Sequence, residues 1–577
     1  MTDVAVSASG LLRQFSEAGV LSWADVHPAQ HLCFLYGESD ERVALAAALA
    51  VRALRAGSLC VDLADAPRVA EQWERSDEGS EAAAAAPAAA WPEASGWLAA
   101  VEASPAVRLG DASGGGQRPL RLAGGLLYLE RYWADQETVR NRVLARLAAV
   151  DAPLGVVPDA ASADAREADQ DAAVSTALTS GLTVIAGGPG TGKTHVIARI
   201  VRAFTTGPSP ALVALAAPTG KAAARMTESL RREGLDTPGA EVAASTVHRL
   251  LGWKPGSRTR FRHDEANPLP HDVVIVDELS MVSMTLMARL LAALKPGARL
   301  VLVGDPDQLA SVEAGAVLAD LTQAGALRSA VVRLRHNFRF AGAIADLAGA
   351  IRDADADAAL EVLRGGGAVR LLAASDATTA LRGRCVTAGS RLFRAASAGD
   401  AAGALAALDE HRLLCAHRRG VFGVQDWSRR VTGWLVEDVP GYAADGEFHV
   451  GRPLLMTANT ADLGLYNGDT GVVLAGDDGP DAVFATGSGP RRFSPYLLDG
   501  LTSVHAMTIH KSQGSQFQHV SVVLPPVDSP LLTRELLYTA VTRASAGVLL
   551  VGTEDAVRAA IARPAARTSG LRARLDG

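Results

Sequence analysis

The chain has 577 residues and a formal net charge of −7, a length that exceeds one hydrophobic core and fits about three or four domains. The acidic balance counts against a passive nucleic-acid coat. Four cysteines without a CxxC pair argue against a zinc site or a disulfide framework and fit a reducing cytosol. No apolar run reaches the roughly 18–20 residues of a membrane span, and no basic-then-apolar leader opens the chain, so a cytoplasmic protein with no membrane partner is expected.

In chain order, residues 1–150 carry helical patterns (LLRQFSEAGVL, ERVALAAALAVRALRA, LERYWADQETVRNRVLARLAAV). An Ala-, Pro- and Gly-rich tract at 80–125 breaks them and is expected to contain a mobile loop. A mainly helical N-terminal domain follows, with Leu, Val and Ala for a small core and aromatics (Phe34, Tyr36, Tyr132, Trp133) able to anchor a partner. It holds no phosphate-gripping motif, so a partner-docking role is expected for it. Over 155–350 the runs LTVIAG, ALVALAAP, HDVVIVD and RLVLVGD alternate with helical stretches, the rhythm of a buried parallel sheet. Residues 351–577 repeat that rhythm in RLLCAH, VHAMTIH, HVSVVLP and GVLLVG. Residues 448–503, rich in Gly, Asp and short apolar pairs, predict a small all-β insert in this second α/β domain.

Gly187-Gly188-Pro189-Gly190-Thr191-Gly192-Lys193-Thr194 matches G-x-x-x-x-G-K-[ST] between a strand and a helix. In that setting backbone N–H groups curl round phosphates, Lys193 neutralises β/γ charge and the Thr194 hydroxyl holds Mg²⁺. VVIVDELS brings Asp277 and Glu278 to a strand's C-terminal end. Asp277 suits the Mg²⁺ and Glu278 the base that orients water, which makes ATP and Mg²⁺ the expected cofactors. Gln308 stands past a third strand as a γ-phosphate sensor, and Arg339 and Arg543 as cationic stabilisers of the transferring phosphoryl, Arg543 from the other domain. Gln170, before the P-loop strand, could read an adenine edge.

The motifs GGPGTGKT, APTGKAAARM, STVHRLLGW, IVDELSMV, GDPDQLASVEAG, HNFRF, MTIHKSQGSQF and LYTAVTRA occur in this order. Over residues 165–555 they resemble the superfamily 1 helicases, specifically the 5′→3′ branch of the RecD family. TIHKSQG and LGLYNGDTGVVL carry that resemblance most specifically, and the N-terminal zone shares it more weakly. The resemblance implies two RecA-like P-loop NTPase domains, an SH3-like insert and a small hairpin at 252–270 bearing Arg258, Arg260 and Arg262. It implies strand-phosphate contacts from Thr219, Lys221, Thr246 and His248 in the first domain and from Thr508, His510, Lys511 and Gln513 in the second, with Asn459 and Asn467 of the insert nearby. Gln516 stands where the family usually has Glu, which leaves a sugar contact open.

The implied activity is ATP-dependent 5′→3′ translocation and unwinding of single-stranded or tailed DNA. The implied setting is a heterotrimer with RecB-like and RecC-like subunits that processes double-strand breaks for recombination, with any nuclease in a partner. Two alternatives remain at this stage: a stand-alone RecD-like helicase, and an ATP-gated DNA-binding regulatory subunit that does not translocate.

Overall fold

A computed structural model describes residues 5–577 except 6, 75–88, 112–116, 150–165, 207–208, 236–242, 255–259, 339–341, 444–445, 477–478, 487–488 and 566. The N-terminal region opens with α1 (Gly10–Glu17), α2 (Trp23–Leu35), α3 (Glu41–Arg55), β1 (Cys60–Asp62) and α4 (Ala66–Glu74). It continues through α5 (Ala94–Ala103), β2 (Val107–Leu109), β3 (Leu120–Ala123), β4 (Leu126–Leu129) and α6 (Glu130–Ala148). Ala-rich α3 forms because its residues lose little side-chain freedom. The Asp40 carboxylate caps it by accepting from Arg42 N at 2.8 Å, and Arg52 and Arg55 complement the dipole at its last turn. Val43 and Leu45 on this helix pack with Phe15, Trp97 and Leu127 in one core. The helices are joined by a four-stranded sheet in the order β1-β4-β3-β2. Within the tract at 80–125 lie α5, β2 and β3, and its residues 80–88 and 112–116 lie outside the described residues. Arg121, 1% exposed, ties sheet to helix by pairing with Glu130 at 2.6 Å and lying 3.6 Å over the Trp133 ring.

The next unit runs α7 (Ala168–Thr179), β5 (Leu182–Gly187), α8 (Lys193–Thr205), β6 (Val213–Ala217), α9 (Gly220–Arg232) and β7 (Ser245–Thr246). It ends with α10 (Val247–Leu250), β8 (Val273–Val276), α11 (Met284–Ala293), β9 (Arg299–Gly304), α12 (Val317–Gln323) and β10 (Val331–Leu334). Its strands are parallel in the order β10-β5-β9-β8-β6-β7. Alternation divides them between two cores: Val184, Leu300 and Leu302 face one, Ile185, Val301 and Val303 the other.

The second α/β unit begins with α13 (Ala343–Arg352), α14 (Ala356–Gly365), β11 (Val369–Leu372), α15 (Ala374–Ser397), α16 (Ala401–Glu410), β12 (His411–Cys415) and α17 (Val424–Asp438). Ile344, Leu347 and Ile351 sit in its core, so the unit opens at α13 and not at 351. An antiparallel insert follows: β13 (Pro453–Met456), β14 (Thr470–Gly476), β15 (Gly479–Thr486), β16 (Gly489–Phe493) and β17 (Leu501–Ser503), ordered β16-β15-β14-β13-β17. The chain returns through β18 (Ala506–Thr508), β19 (Phe517–Val523), α18 (Arg534–Val541), β20 (Ala544–Val551), α19 (Glu554–Ala562) and α20 (Leu571–Asp576). The parallel order here is β11-β20-β19-β12-β18. The end of the chain crosses back: Leu571 and Leu575 lie in a core of the first α/β unit, and Leu59 N donates to Thr568 O at 2.9 Å. Asp135 of α6 accepts from Thr285 Oγ1 at 2.8 Å, which docks the N-terminal region on α11. Among the described residues no helix is long and apolar enough to cross a membrane.

Candidate nucleotide and strand sites

The P-loop joins β5 to α8. Gly190 and Gly192 take φ of 85° and 82°, a left-handed region that turns consecutive N–H groups inward. No side chain caps the first turn of α8, so its N–H groups and dipole are open to an anion. Lys193 Nζ donates to Gly187 O at 2.8 Å and Gly188 O at 3.0 Å, holding the ammonium over the loop. Thr191 Oγ1 donates to Gly188 O at 2.9 Å, and Thr194 begins the helix beside Lys193. Gln170 is 4% exposed and its Nε2 donates to Thr191 O at 3.2 Å, so its amide clamps the loop from α7. Two residues of HNFRF complete the clamp: Asn337 Nδ2 donates to Pro189 O at 3.0 Å and Phe338 N to Gly190 O at 2.8 Å. Arg339 and Arg258 lie outside the described residues.

Beside the loop, β8 delivers Asp277 and Glu278. Burial and the Glu278 charge push the Asp277 carboxyl upward against the pull of Lys193. Glu278 has φ 53°, a conformation costly for a residue with a Cβ and often found at functional sites. Asp305, at the end of β9, is 1% exposed and accepts from Gln308 Nε2 at 2.8 Å. Burial raises its carboxyl, with Lys193 opposing.

The second unit closes the cleft. Arg543, 4% exposed, donates to Thr539 O at 3.1 Å and Ser515 O at 3.3 Å. Burial lowers its guanidinium while the charges of Glu278 and Asp305 hold it up. The resulting space of about 720 Å³ is lined by Lys193, Thr194, Asp277, Glu278, Gln308 and Arg543, a size suited to a nucleotide. The chain's own residues fit ATP·Mg²⁺: a left-handed glycine cradle for phosphates, and a hydroxyl and a carboxylate for the cation. The sequence reading missed Tyr538, Asp305 and Arg225. A Cβ on Gly188 would lie 2.8 Å from the Tyr538 hydroxyl, and Arg225 Nη1 donates across the cleft to Gly514 O. The Asp pair of GDPDQ and the Tyr five residues before Arg543 were the available signals.

The candidate strand residues divide. Thr219 Oγ1 accepts from Ala222 N at 3.2 Å and Thr246 Oγ1 from Arg249 N at 3.1 Å, each capping a helix. Lys221 Nζ donates to Gly468 O of the insert at 2.9 Å, and burial pushes its ammonium down to about 8. The same turn of the insert places Tyr466 so that a Cβ on Gly220 would lie 2.2 Å from its ring. Asn459 Oδ1 accepts from Asn467 N at 2.8 Å. In the second unit Thr508 Oγ1 accepts from Lys511 N at 3.2 Å, and Lys511 itself is exposed. Gln513 Nε2 donates to Leu309 O at 2.7 Å, while Leu309 N donates to Thr539 Oγ1 at 2.9 Å. The loop carrying Gln308 is thus held on both sides by the second unit. Burial lowers both His248 and His510, with Glu313 pulling His248 upward and Arg567 and Arg418 pressing His510 further down. Arg260 and Arg262 are exposed, and Gln516 lines the cleft.

Three family models match the chain: the RecBCD enzyme subunit RecD N-terminal domain over residues 17–128, an AAA domain over 170–314 and a UvrD-like helicase C-terminal domain over 503–551. The RecBCD enzyme subunit RecD of Mycobacterium tuberculosis is 51% identical, covering 100% of this chain and 98% of that relative. That of Mycolicibacterium smegmatis is 51% identical over 98% of this chain and 99% of the relative. The ATP-dependent RecD2 DNA helicase of Deinococcus radiodurans is 33% identical over 66% and 48%. Among solved structures, a Pif1 helicase from Bacteroides with ADP-AlF3 and ssDNA aligns over 64% of this chain and 88% of its own at 18% identity and a TM-score of 0.36.

Proposed function

The chain belongs to the RecD family of RecBCD enzyme subunits, and from that premise we propose how its residues make it an ATP-dependent 5′→3′ DNA helicase. It works in the cytoplasm with RecB-like and RecC-like partners on the ends of broken DNA. The observation that carries the reading is that one cleft joins the P-loop and acidic pair of the first α/β unit to Arg543 of the second.

In this reading Lys193 and the loop N–H groups hold the β- and γ-phosphates. Thr194 and Asp277 would hold Mg²⁺, which adds positive charge at the phosphoryl oxygens when bound. The Glu278 carboxylate orients and deprotonates the attacking water, and Arg543 neutralises charge that develops on the transferred group. Gln308 senses that group. Because Leu309 beside it is bonded to both Thr539 and Gln513, loss of the γ-phosphate shifts the second unit and the strand-gripping Thr508–Gln513 segment together. Alternate grip by the first-unit residues (Thr219, Lys221, Thr246, His248) and the second-unit residues (Thr508, His510, Lys511) moves the chain along the strand. Asn459 and the insert flank the path. Phosphate contacts of this kind track a backbone without reading sequence. Gln170, already clamping the P-loop, presents its amide to the base.

The N-terminal region serves as the docking platform for partners. Its α2 leaves Trp23, Phe34 and Leu35 at 53%, 81% and 59% exposure, the kind of aromatic anchor an interface core uses. ATPase turnover measured with and without single-stranded DNA tests the central reading. The wild type rises steeply with DNA and Lys193→Gln stays flat. A turnover that ignores DNA would leave only a nucleotide-binding subunit.

A further inference from the structure

The N-terminal region meets both α/β units beside His248 and His510, two of the candidate strand residues. Two adjoining cavities, about 390 Å³ and 320 Å³, open where it meets the α/β units. The first is walled by His248 and Arg289 of the first unit and by Arg55, Arg131 and Tyr132 of the N-terminal region. The second is lined by His510 and Arg563 of the second unit and by Arg55 again, with Arg567 of the returning tail. Between them passes the loop after Gln308, lending Leu309 to one cavity and Glu313 to the other. Val312 of that loop is 81% exposed.

We infer that Arg55 and Arg131 form an N-terminal wall of the single-strand track, gripping strand phosphates between His248 and His510. Burial disfavours the charged form of both rings, so hydrogen bonding is what they chiefly offer. The cations lining these cavities are arginines: Arg55 and Arg131 from the N-terminal region, Arg567 from the returning tail, and Arg289 and Arg563 from the α/β units. Arg131 is exposed and, among the described residues, lies in no ion pair. Arg55 spends a single nitrogen, Nη1, on Asp25 and Ser22. Its Nε and Nη2 have no protein partner among the described residues. Glu313 is the one carboxylate in the lining of the first cavity, while Asp25 pairs with Arg55 and Asp135 senses Arg131 from outside it. A chain of net charge −7 concentrates basic groups where the track needs them. Tyr132 adds a half-buried ring on which a base can stack.

The inference rests on the proposed strand path, and one titration separates the two. Binding of a fluorescein-labelled oligo-dT strand to the full chain is followed by anisotropy across a salt series. Arg131→Gln, Arg131→Glu, Arg131→Lys and His510→Ala are compared, with melting temperature as the control for fold. Arg131→Gln is expected to weaken binding about three- to tenfold and to lower the log–log salt slope by about 0.7, the value of one single-strand phosphate contact. Arg131→Glu weakens it further and Arg131→Lys restores it. If His510→Ala weakens binding while both Arg131→Gln and Arg131→Glu bind as wild type, the N-terminal wall is refuted and the strand path stands. If none of the four changes affinity or slope, the path itself is wrong and takes the wall with it.

Discussion

Gly192→Ala probes the nucleotide site at its tightest point. The residue has φ 82°, and a Cβ there would lie 2.5 Å from Gln170 Nε2. The left-handed backbone costs an alanine about 1–2 kcal/mol. The methyl group also forces the Gln170 amide off its 3.2 Å bond to Thr191 O, about 1 kcal/mol more. An unliganded loop relaxes from this strain, whereas a bound nucleotide requires the curled form. The cost of about 2–3 kcal/mol therefore falls on binding, roughly a 30- to 150-fold rise in Kd. Calorimetric titration with ADP measures it, alongside a melting curve that should move little. Adding Gln170→Ala should lower affinity little further, because Gly192→Ala has already displaced that amide. Unchanged ADP affinity in Gly192→Ala would refute the cradle.

Three further outcomes are expected. Glu278→Gln should retain ATP and DNA together while turnover falls at least about 100-fold, on the scale of lost general-base catalysis; a rapid-quench assay giving the wild-type rate would put the base elsewhere. Lys221 is lowered to about 8 by burial and by Arg225, with Asp469 and Asp409 pulling upward. Its ammonium is therefore charged below that pH and neutral above it, so strand affinity should fall as pH rises from about 7 to about 9, and Lys221→Arg, charged throughout, should flatten the fall. Arg121→Ala strips a buried cation from Glu130 and Trp133 and should cost about 3–5 kcal/mol in the N-terminal region, read as an early transition in calorimetry.

The nucleotide half of the account is legible in the sequence because its geometry is local. A strand of six buried residues, a glycine turn and a helix start are contiguous, and the acidic pair ends a run of four apolar residues. The N-terminal sheet is not legible in this way. Its strands are three or four residues long, and β1 pairs with β4 across more than sixty positions, Cys60 opposite Tyr128, too short for periodicity to register. The returning tail is hidden for a similar reason. SGLRARLD reads as a polar end, yet Leu571 and Leu575 complete a core whose first member is Leu59. Lys221 shows the limit for site residues: APTGK marks it as a phosphate ligand, but only the packed insert shows that Gly468 holds it.

The central claim is directional movement driven by ATP, and it is tested most directly by strand displacement from tailed duplexes. The full chain should open a duplex bearing a 5′ single-stranded tail in the presence of ATP and Mg²⁺. It should leave the 3′-tailed duplex intact, and Lys193→Gln should open neither. Displacement from the 3′-tailed substrate alone, or equally from Lys193→Gln, would contradict the account.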